Sequence, residues 1–182
     1  FGRDVLSRVL SGAGSTLLIA LGTIIIGGGA GIIIGAATGY FGGWFDEALM
    51  RINDAVAAFP SVLLALVIIS IAGTGKYKVM IALGIAFIPS FARVVRGEYM
   101  RLREADYVIS AKLIGVKTPR ILFVHILPNI LPALLSAIAI GFNNAVLAEA
   151  GLSYLGIGVQ PPDASLGRML SESQTYLASG PW

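Results

Sequence analysis

The most constraining feature of this sequence is the spacing of its charged residues. No Asp, Glu, Lys or Arg occurs for 37 residues after Arg8, for 21 after Asp54, for 14 after Lys78 or for 28 after Arg120. Each charge at the centre of a bilayer costs roughly 2.5 to 3.5 kcal/mol, and a spanning helix needs about 20 apolar residues. Three gaps are long enough for a span, and cations at the border of the shortest gap can extend it by snorkelling.

The composition agrees with a membrane protein and excludes several other classes. Hydrophobic residues make up 56% of the 182 residues and charged residues 13%, whereas a soluble domain has about a quarter charged. The chain contains no cysteine and one histidine, which excludes disulfide scaffolds, cysteine zinc sites and thiol catalysis and argues against a His-rich metal site. No basic stripe with interleaved aromatics suggests a nucleic-acid partner.

The charge gaps predict one all-α membrane domain over residues 1–182. Its spans are expected at about 15–39, 55–73, 79–96 and 121–148, with a loop at 97–120 and a final segment at 150–182. Lys and Arg concentrate on the cytoplasmic side of membrane proteins. Eight of the 13 cations fall on the side that holds residues 93–120, so that loop is predicted to be cytoplasmic and both ends external.

Glycines recur every fourth residue in the first span, at Gly27, Gly31, Gly35 and Gly39. Such a stripe lines one helix face and allows close approach of a second helix, which is a usual source of packing contacts in lipid. The pattern favours packing within this chain, with a subunit interface or a gate as the alternatives.

Polar residues near the outer end of the last span are rarer. Asn143, Asn144 and Glu149 either line a solute path, or Asn143 or Asn144 caps or cross-links neighbouring helices while Glu149 lies at the membrane interface. The single histidine, His125, is predicted to be an interfacial hydrogen-bonding residue.

Within the basic loop, Asp106 to Gly115 is typical of a short helix, with Asp106 as N-cap and Gly115 just beyond its C-terminus. Tyr107, Ala111 and Ile114 share one face and are expected to lie against the membrane domain. The rest of the circumference is also apolar, so the helix needs a second surface. That surface is either a protein partner or the membrane.

These residues carry a resemblance to a known family. Ile109-Ser110-Ala111, Gly115 and Leu127-Pro128 are similar to the E-A-A, three residues, G and later I-x-L-P pattern of bacterial ABC importer permeases. Six further phrases resemble the C-type subunit of the dipeptide, oligopeptide and nickel branch. They are GRDVLSR at 2–8, GYFGG at 39–43, AFPS at 58–61, RVVRG at 93–97, HILPN at 125–129 and LSYLGIGVQPP at 152–162.

The resemblance implies a type I permease subunit of a bacterial or archaeal inner membrane, carrying peptides, nickel complexes or related solutes. Its partners would be a second homologous permease, two cytoplasmic ATPases that hold ATP and Mg, and an external solute-binding protein. This chain would bind no cofactor itself. Relatives usually have six spans, of which these are the middle four.

The loop helix would then be a coupling helix that docks on an ATPase. The docking residues are expected to be Arg103, Glu104, Tyr107, Ile109, Ser110, Ala111, Lys112, Leu113 and Gly115. Ile109 replaces the glutamate of the family pattern, so any salt bridge of that glutamate does not carry over.

Outside the spans, Ser165 to Leu177 is typical of a short external helix whose apolar side holds Leu166, Met169, Leu170 and Leu177. It is interpreted as a lid, as a platform for the binding protein, or as a simple cover over the spans.

Two further classes of function share parts of this composition. An intramembrane enzyme would need a membrane-embedded histidine with its partners, and His125 lies at a helix end without a following glutamate. A passive channel or a structural membrane subunit would share this composition, and only the docking loop argues against that class. The chain has no complete phosphate-binding loop, because Ser70 and Tyr77 break the pattern around Gly75-Lys76.

Overall fold

The computed structural model describes residues 4–174, and all regular structure in that range is helical. The main helices are α1 (Val5–Phe41), α2 (Gly43–Ala57), α3 (Ser61–Ala72), α4 (Lys76–Leu102), α5 (Asp106–Leu113), α6 (Thr118–Arg120), α7 (Leu131–Tyr154) and α8 (Leu166–Ser173). A π-helical segment, Ile121–Ile126, and a 3-10 turn, Leu127–Ile130, join α6 to α7. The prediction of an all-α membrane helix bundle is confirmed.

Three helical stretches of the described chain are long and apolar enough to cross a membrane. They are Val5–Phe41, Lys76–Leu102 and Thr118–Tyr154. The short charge gap at 79–92 therefore lies within a full-length spanning helix of 27 residues.

The span predicted at 55–73 does not form one straight helix. The chain forms two helices there, α2 and α3, which meet at 86° and count at most as one broken span. Pro60 lacks an amide hydrogen and disfavours helical geometry in the preceding residue, so the helix stops before it. Alone, the 12 residues of α3 extend only about 18 Å.

The packing of α1 against α4 shows how the chain runs between them. Gly22 lies beside Met80, Gly27 beside Gly84, and Gly39 beside Arg96, so residue numbers rise together along the seam. The two helices are therefore parallel. Because α1 ends at one end of the bundle and α4 starts at the other, α2 and α3 together carry the chain back along its length.

The glycine stripe of α1 forms this seam. A Cβ atom added to Gly31 would lie 2.5 Å from the Cβ of Phe91, and one added to Gly35 would lie 2.6 Å from the carbonyl oxygen of Ala92. Gly39 approaches the Arg96 carbonyl just as closely. The stripe thus packs within this chain and leaves no room for a side chain.

Two prolines and a hydrogen bond to α4 shape the start of the last spanning segment. Pro128 and Pro132 cannot donate backbone hydrogen bonds, and the helix before them widens to π geometry over Ile121–Ile126. The buried Tyr99 hydroxyl of α4 donates to the Leu122 carbonyl at 2.9 Å. This bond fixes the widened segment to α4.

The segment after α7 folds back on the start of α1. Ser165 caps α8 by accepting from the Arg168 amide, and the Leu166 amide donates to the Thr16 hydroxyl. Met169 lies against Gly12, whereas Leu170 is 61% exposed and so does not share the packed side as predicted. Leu177, the last predicted member, lies outside the described residues.

Ion pairs complete this contact. The Glu172 carboxylate accepts from Arg8 at 2.7 Å and from Arg168 at 3.0 Å. Hydrogen bonds from Arg8 and Arg168 lower the pKa of Glu172 below its ordinary value of 4.5. The α8 segment is therefore attached to α1 by both apolar and charged contacts.

Candidate functional site

At one end of the bundle, the loop after α4 holds the short helix α5. Ala105, rather than the predicted Asp106, is the N-cap residue, and it provides no side-chain hydrogen bond. Asp106 lies in the first turn, where a negative charge complements the helix dipole. The cap is displaced by one residue because the chain is already extended at Ala105.

The C-terminus of α5 ends as the sequence predicts. Gly115 has a φ of +79°, its amide donates to the Lys112 carbonyl, and the Val116 amide donates to the Ala111 carbonyl, both at 3.0 Å. This pair of bonds is the Schellman arrangement, which favours glycine at the left-handed position.

Only one narrow face of α5 is buried. Val108 is fully buried and Ala111 is 5% exposed, in one cluster with Ile121, Leu122 and Ile126. The predicted contacts of Tyr107 and Ile114 with the membrane domain are wrong, since they are 39% and 80% exposed. Because nearly every position of this helix is apolar, the sequence pattern did not indicate which face packs.

The rest of α5 presents apolar side chains to the surface. Leu113 is 83% exposed, Ile114 is 80% exposed and Ile109 is 43% exposed. The exposed patch formed by Ile109, Leu113 and Ile114 is called the α5 patch below. An exposed apolar surface of this kind is typical of contact with a protein partner or with the membrane.

The remaining predicted docking residues surround this patch. Lys112 lies 4.9 Å from the centre of the Tyr40 ring and donates to the Arg103 carbonyl at 3.4 Å, so it is tied to the bundle although exposed. The Arg103 guanidinium reaches Glu104 at 3.3 Å. Ser110 and Gly115 are exposed.

Beside this end of the bundle, α2 and α4 are joined by ion pairs that the sequence analysis missed. Arg96 makes two hydrogen bonds of 2.6 Å to Asp46, and Arg93 contacts Asp54 at 2.8 Å. Asn53 also donates to the Pro89 carbonyl at 3.4 Å. The signal available in the sequence was the placement of Asp46 and Asp54 on similar faces, eight residues apart.

A second feature is a cleft of about 380 Å³ where α3, α4 and α7 meet. It is called the side cleft below, and its lining is Ser61, Val62, Phe87, Ser90, Asn144, Leu147 and Ala148.

The three polar residues predicted near the outer end of the last span are placed differently. Asn144 lines the side cleft. Asn143 is exposed beside it but does not line the cleft. Glu149 is fully buried, contrary to both predictions for it, because α7 turns this face toward the interior.

The Glu149 carboxyl has one partner within the described chain. It accepts from the Ser153 hydroxyl at 2.6 Å, and that hydroxyl oxygen accepts in turn from the Val159 amide at 3.1 Å. These bonds hold the segment after α7 to its last turns. Residues 4–174 contain no cluster of three His, Cys, Asp or Glu suited to a metal ion.

A solved membrane transporter has a similar helical bundle. The solved MetNI methionine ABC transporter, described in inward-facing conformations, has the same fold with a TM-score of 0.70. The match covers 96% of this chain and 82% of the other, at 18% identity.

Sequence comparison identifies the family. Residues 31–180 match the family described as Binding-protein-dependent transport system inner membrane component, and the chain belongs to it. The dipeptide transport system permease protein DppC of Alkalihalophilus pseudofirmus is 40% identical over the whole chain. A putative peptide transport system permease protein of Brucella suis is 44% identical, and the glutathione transport system permease protein GsiD of Pectobacterium atrosepticum is 37% identical.

The chain spans about 60% of the length of these curated relatives. The family match confirms the predicted membership in the importer permeases.

Proposed function

We propose that this chain is a membrane-spanning subunit of an ATP-driven importer, forms half of its solute path, and carries peptides. Relatives with 37% to 44% identity are named for dipeptide, peptide and glutathione transport, which supports the peptide class over nickel complexes. The chain itself is non-catalytic in this proposal.

The observation that carries the proposal is the α5 patch. Val108 and Ala111 pack α5 against the bundle, while the three large apolar side chains of the patch remain exposed. A groove in an ATPase subunit would bury these side chains, and the surrounding polar residues Glu104, Ser110 and Lys112 would form the rim of the interface. Orientation follows from the positive-inside rule, which favours a cytoplasmic position for this end.

The proposed assembly contains a second homologous permease, two cytoplasmic ATPases and an external binding protein. ATP and Mg would be held by the ATPases, because the described chain offers no phosphate-binding loop and no cluster of metal ligands. In the same proposal, α8 lies on the external side, where it would face the binding protein or cover the bundle.

Motion of the ATPases would reach the spans through rigid contacts. Val108 and Ala111 pack on the π-helical segment, and Tyr99 ties that segment to α4. The glycine seam then packs α4 closely against α1. A displacement of α5 would therefore move these helices together, which is the rigid-body form of switching between states.

The experiment compares two exposed leucines at opposite ends of the molecule. Leu113→Asp places a charge in the α5 patch, whereas Leu170→Asp places one on α8, and neither residue is buried. In the full importer, Leu113→Asp is expected to reduce co-purification of the ATPases by about tenfold or more, as for loss of a central interface residue. Leu170→Asp should leave it unchanged.

Uptake into proteoliposomes provides the functional measurement. The proposal predicts ATP-dependent peptide uptake that Leu113→Asp abolishes. Normal ATPase co-purification with Leu113→Asp would contradict the docking proposal. Equal uptake with and without ATP would instead show a passive channel.

A further inference from the structure

The side cleft combines polar and apolar side chains from three helices. Ser61 comes from the start of α3, Ser90 from the middle of α4 and Asn144 from α7, and the other four lining residues are apolar. None of the seven lining residues is ionisable. Its volume of about 380 Å³ lies in the range of small-molecule sites, roughly 300 to 1,000 Å³.

The polar groups of the cleft are free to bind. Serines elsewhere in these helices donate to the carbonyl one turn earlier, as Ser70 does to Leu66 and Ser136 to Pro132. Within residues 4–174, the Ser90 hydroxyl and the Asn144 amide make no hydrogen bond, and both residues are exposed. Each can donate and accept hydrogen bonds.

The polar residues of the cleft lie in charge-free stretches of the sequence. Ser90 lies within the charge-free stretch 79–92, and Asn144 within 121–148. Hydrocarbon cannot satisfy hydrogen-bonding groups, and polar residues at such depth normally face a water-filled cavity or a protein partner. The convergence of three such residues on one concave surface favours a path that contains water and solute.

We infer that Ser61, Ser90 and Asn144 form an uncharged subsite of the solute path that binds the backbone amide of a passing peptide. A peptide amide has one donor and one acceptor, which hydroxyl and carboxamide groups complement without charge. Every peptide carries this group, so the subsite would read the backbone and be indifferent to side-chain charge. This inference rests on the proposed function.

The test introduces charge into the subsite and asks whether cargo preference follows it. The full importer is reconstituted with Asn144→Asp or Asn144→Lys, and uptake is compared for Ala-Ala, Lys-Ala and Asp-Ala. Asn144→Asp should raise the ratio of Lys-Ala to Asp-Ala uptake by roughly 25-fold, because attraction of Lys-Ala and repulsion of Asp-Ala each contribute about fivefold for charges about 4 Å apart in water. Asn144→Lys should lower it by a similar factor, which a folding defect would not do.

Asn143 provides the matched control. It is the same residue type, exposed on the same helix, but outside the cleft lining. Asn143→Asp and Asn143→Lys should leave the uptake ratio at the wild-type value.

Each other outcome overturns the inference in a recognisable way. Unchanged ratios in both Asn144 variants, with normal uptake, would remove the cleft from the path but leave the proposed function intact. Loss of the second permease subunit on purification of Asn144→Asp would show that the cleft is a subunit interface.

A wild-type importer that binds its ATPases but takes up none of the three dipeptides would refute the peptide subsite. Failure of ATPase binding in the wild type would refute the proposed function itself.

Discussion

The seam between α1 and α4 is closely packed within the chain, whereas the surface of α5 leaves large apolar side chains exposed. In the seam, a stripe of glycines on α1 lets the backbone and side chains of α4 approach within about 3 Å of where a glycine Cβ would lie. On α5, the largest apolar side chains point away from the bundle. The first surface is complete within this chain, and the second requires a partner. Both regions are rich in apolar residues, so apolar content alone does not separate internal packing from docking.

Filling the seam should produce the largest effect on stability. Gly35→Val would place branched methyl groups where even a Cβ lies 2.6 Å from the Ala92 carbonyl oxygen. The helices must separate, at a cost of roughly 1 to 3 kcal/mol, and the thermal unfolding midpoint in detergent should fall.

Gly29 is the control for this substitution, because a Cβ added there meets nothing within 4 Å. Gly29→Ala should leave the midpoint unchanged or raise it slightly. If Gly35→Val were as stable as Gly29→Ala, the seam would not be closely packed and the contrast with α5 would disappear.

A different glycine tests the exposed helix. A side chain at Gly115 would meet no steric clash, because nothing lies within 4 Å of an added Cβ. The φ of +79° nevertheless disfavours any residue that has a Cβ. Gly115→Ala should cost about 1 to 2 kcal/mol, the penalty for left-handed geometry. Because the strain is confined to the end of α5, amide hydrogen exchange should accelerate over residues 106–116 while the α1–α4 seam is unaffected.

The control is Gly97→Ala, since Gly97 lies in α4 with open space around it. It should not change exchange in α5. Uniform acceleration across the molecule in Gly115→Ala would mean that α5 and the seam unfold as one unit.

The hydrogen bond between Tyr99 and Leu122 joins the two regions. Tyr99→Phe keeps the buried ring but leaves the Leu122 carbonyl without this donor. A loss of about 1 kcal/mol is expected, measured as a lower thermal midpoint. Unchanged stability together with unchanged ATPase coupling would show that this bond does not connect α5 to the spans.

The smallest effect should come from the Glu172 ion pairs at the other end of the molecule. The folded pKa of Glu172 is lowered, so the contribution of the ion pairs is present above the ordinary pKa of 4.5 and is lost as pH falls through the lower folded pKa. The pairs are partly exposed, which limits the effect to about 1 kcal/mol or less. Glu172→Gln should reduce the loss of stability at acidic pH. An unchanged dependence of stability on pH would show that the ion pairs do not contribute.

Much of the fold was predictable because membrane burial depends on local composition. Charge gaps located the spanning segments, and the four-residue spacing of Gly27 to Gly39 indicated a packed face. The 86° bend before α3 was not predictable, since Pro60 indicates a break but not its angle. The parallel partner of the glycine stripe, α4, also follows only from the assembled structure.

The candidate site was predictable in position more than in orientation. Gly115 indicated the end of α5 because left-handed geometry is a local requirement. The buried face of α5 and the burial of Glu149 depend on contacts between segments distant in sequence, which periodicity does not encode when almost every position is apolar. The ion pairs between α2 and α4 arise from such contacts too.

The most direct test of the docking proposal uses the absence of cysteine from these 182 residues. A single Leu113→Cys substitution is labelled with a membrane-impermeant maleimide in inside-out and right-side-out vesicles, with and without the ATPase subunits. If α5 docks on the ATPases, labelling occurs only in inside-out vesicles and is strongly reduced when the ATPases are bound. Labelling from the external side, or equal labelling with and without the ATPases, would contradict the docking proposal.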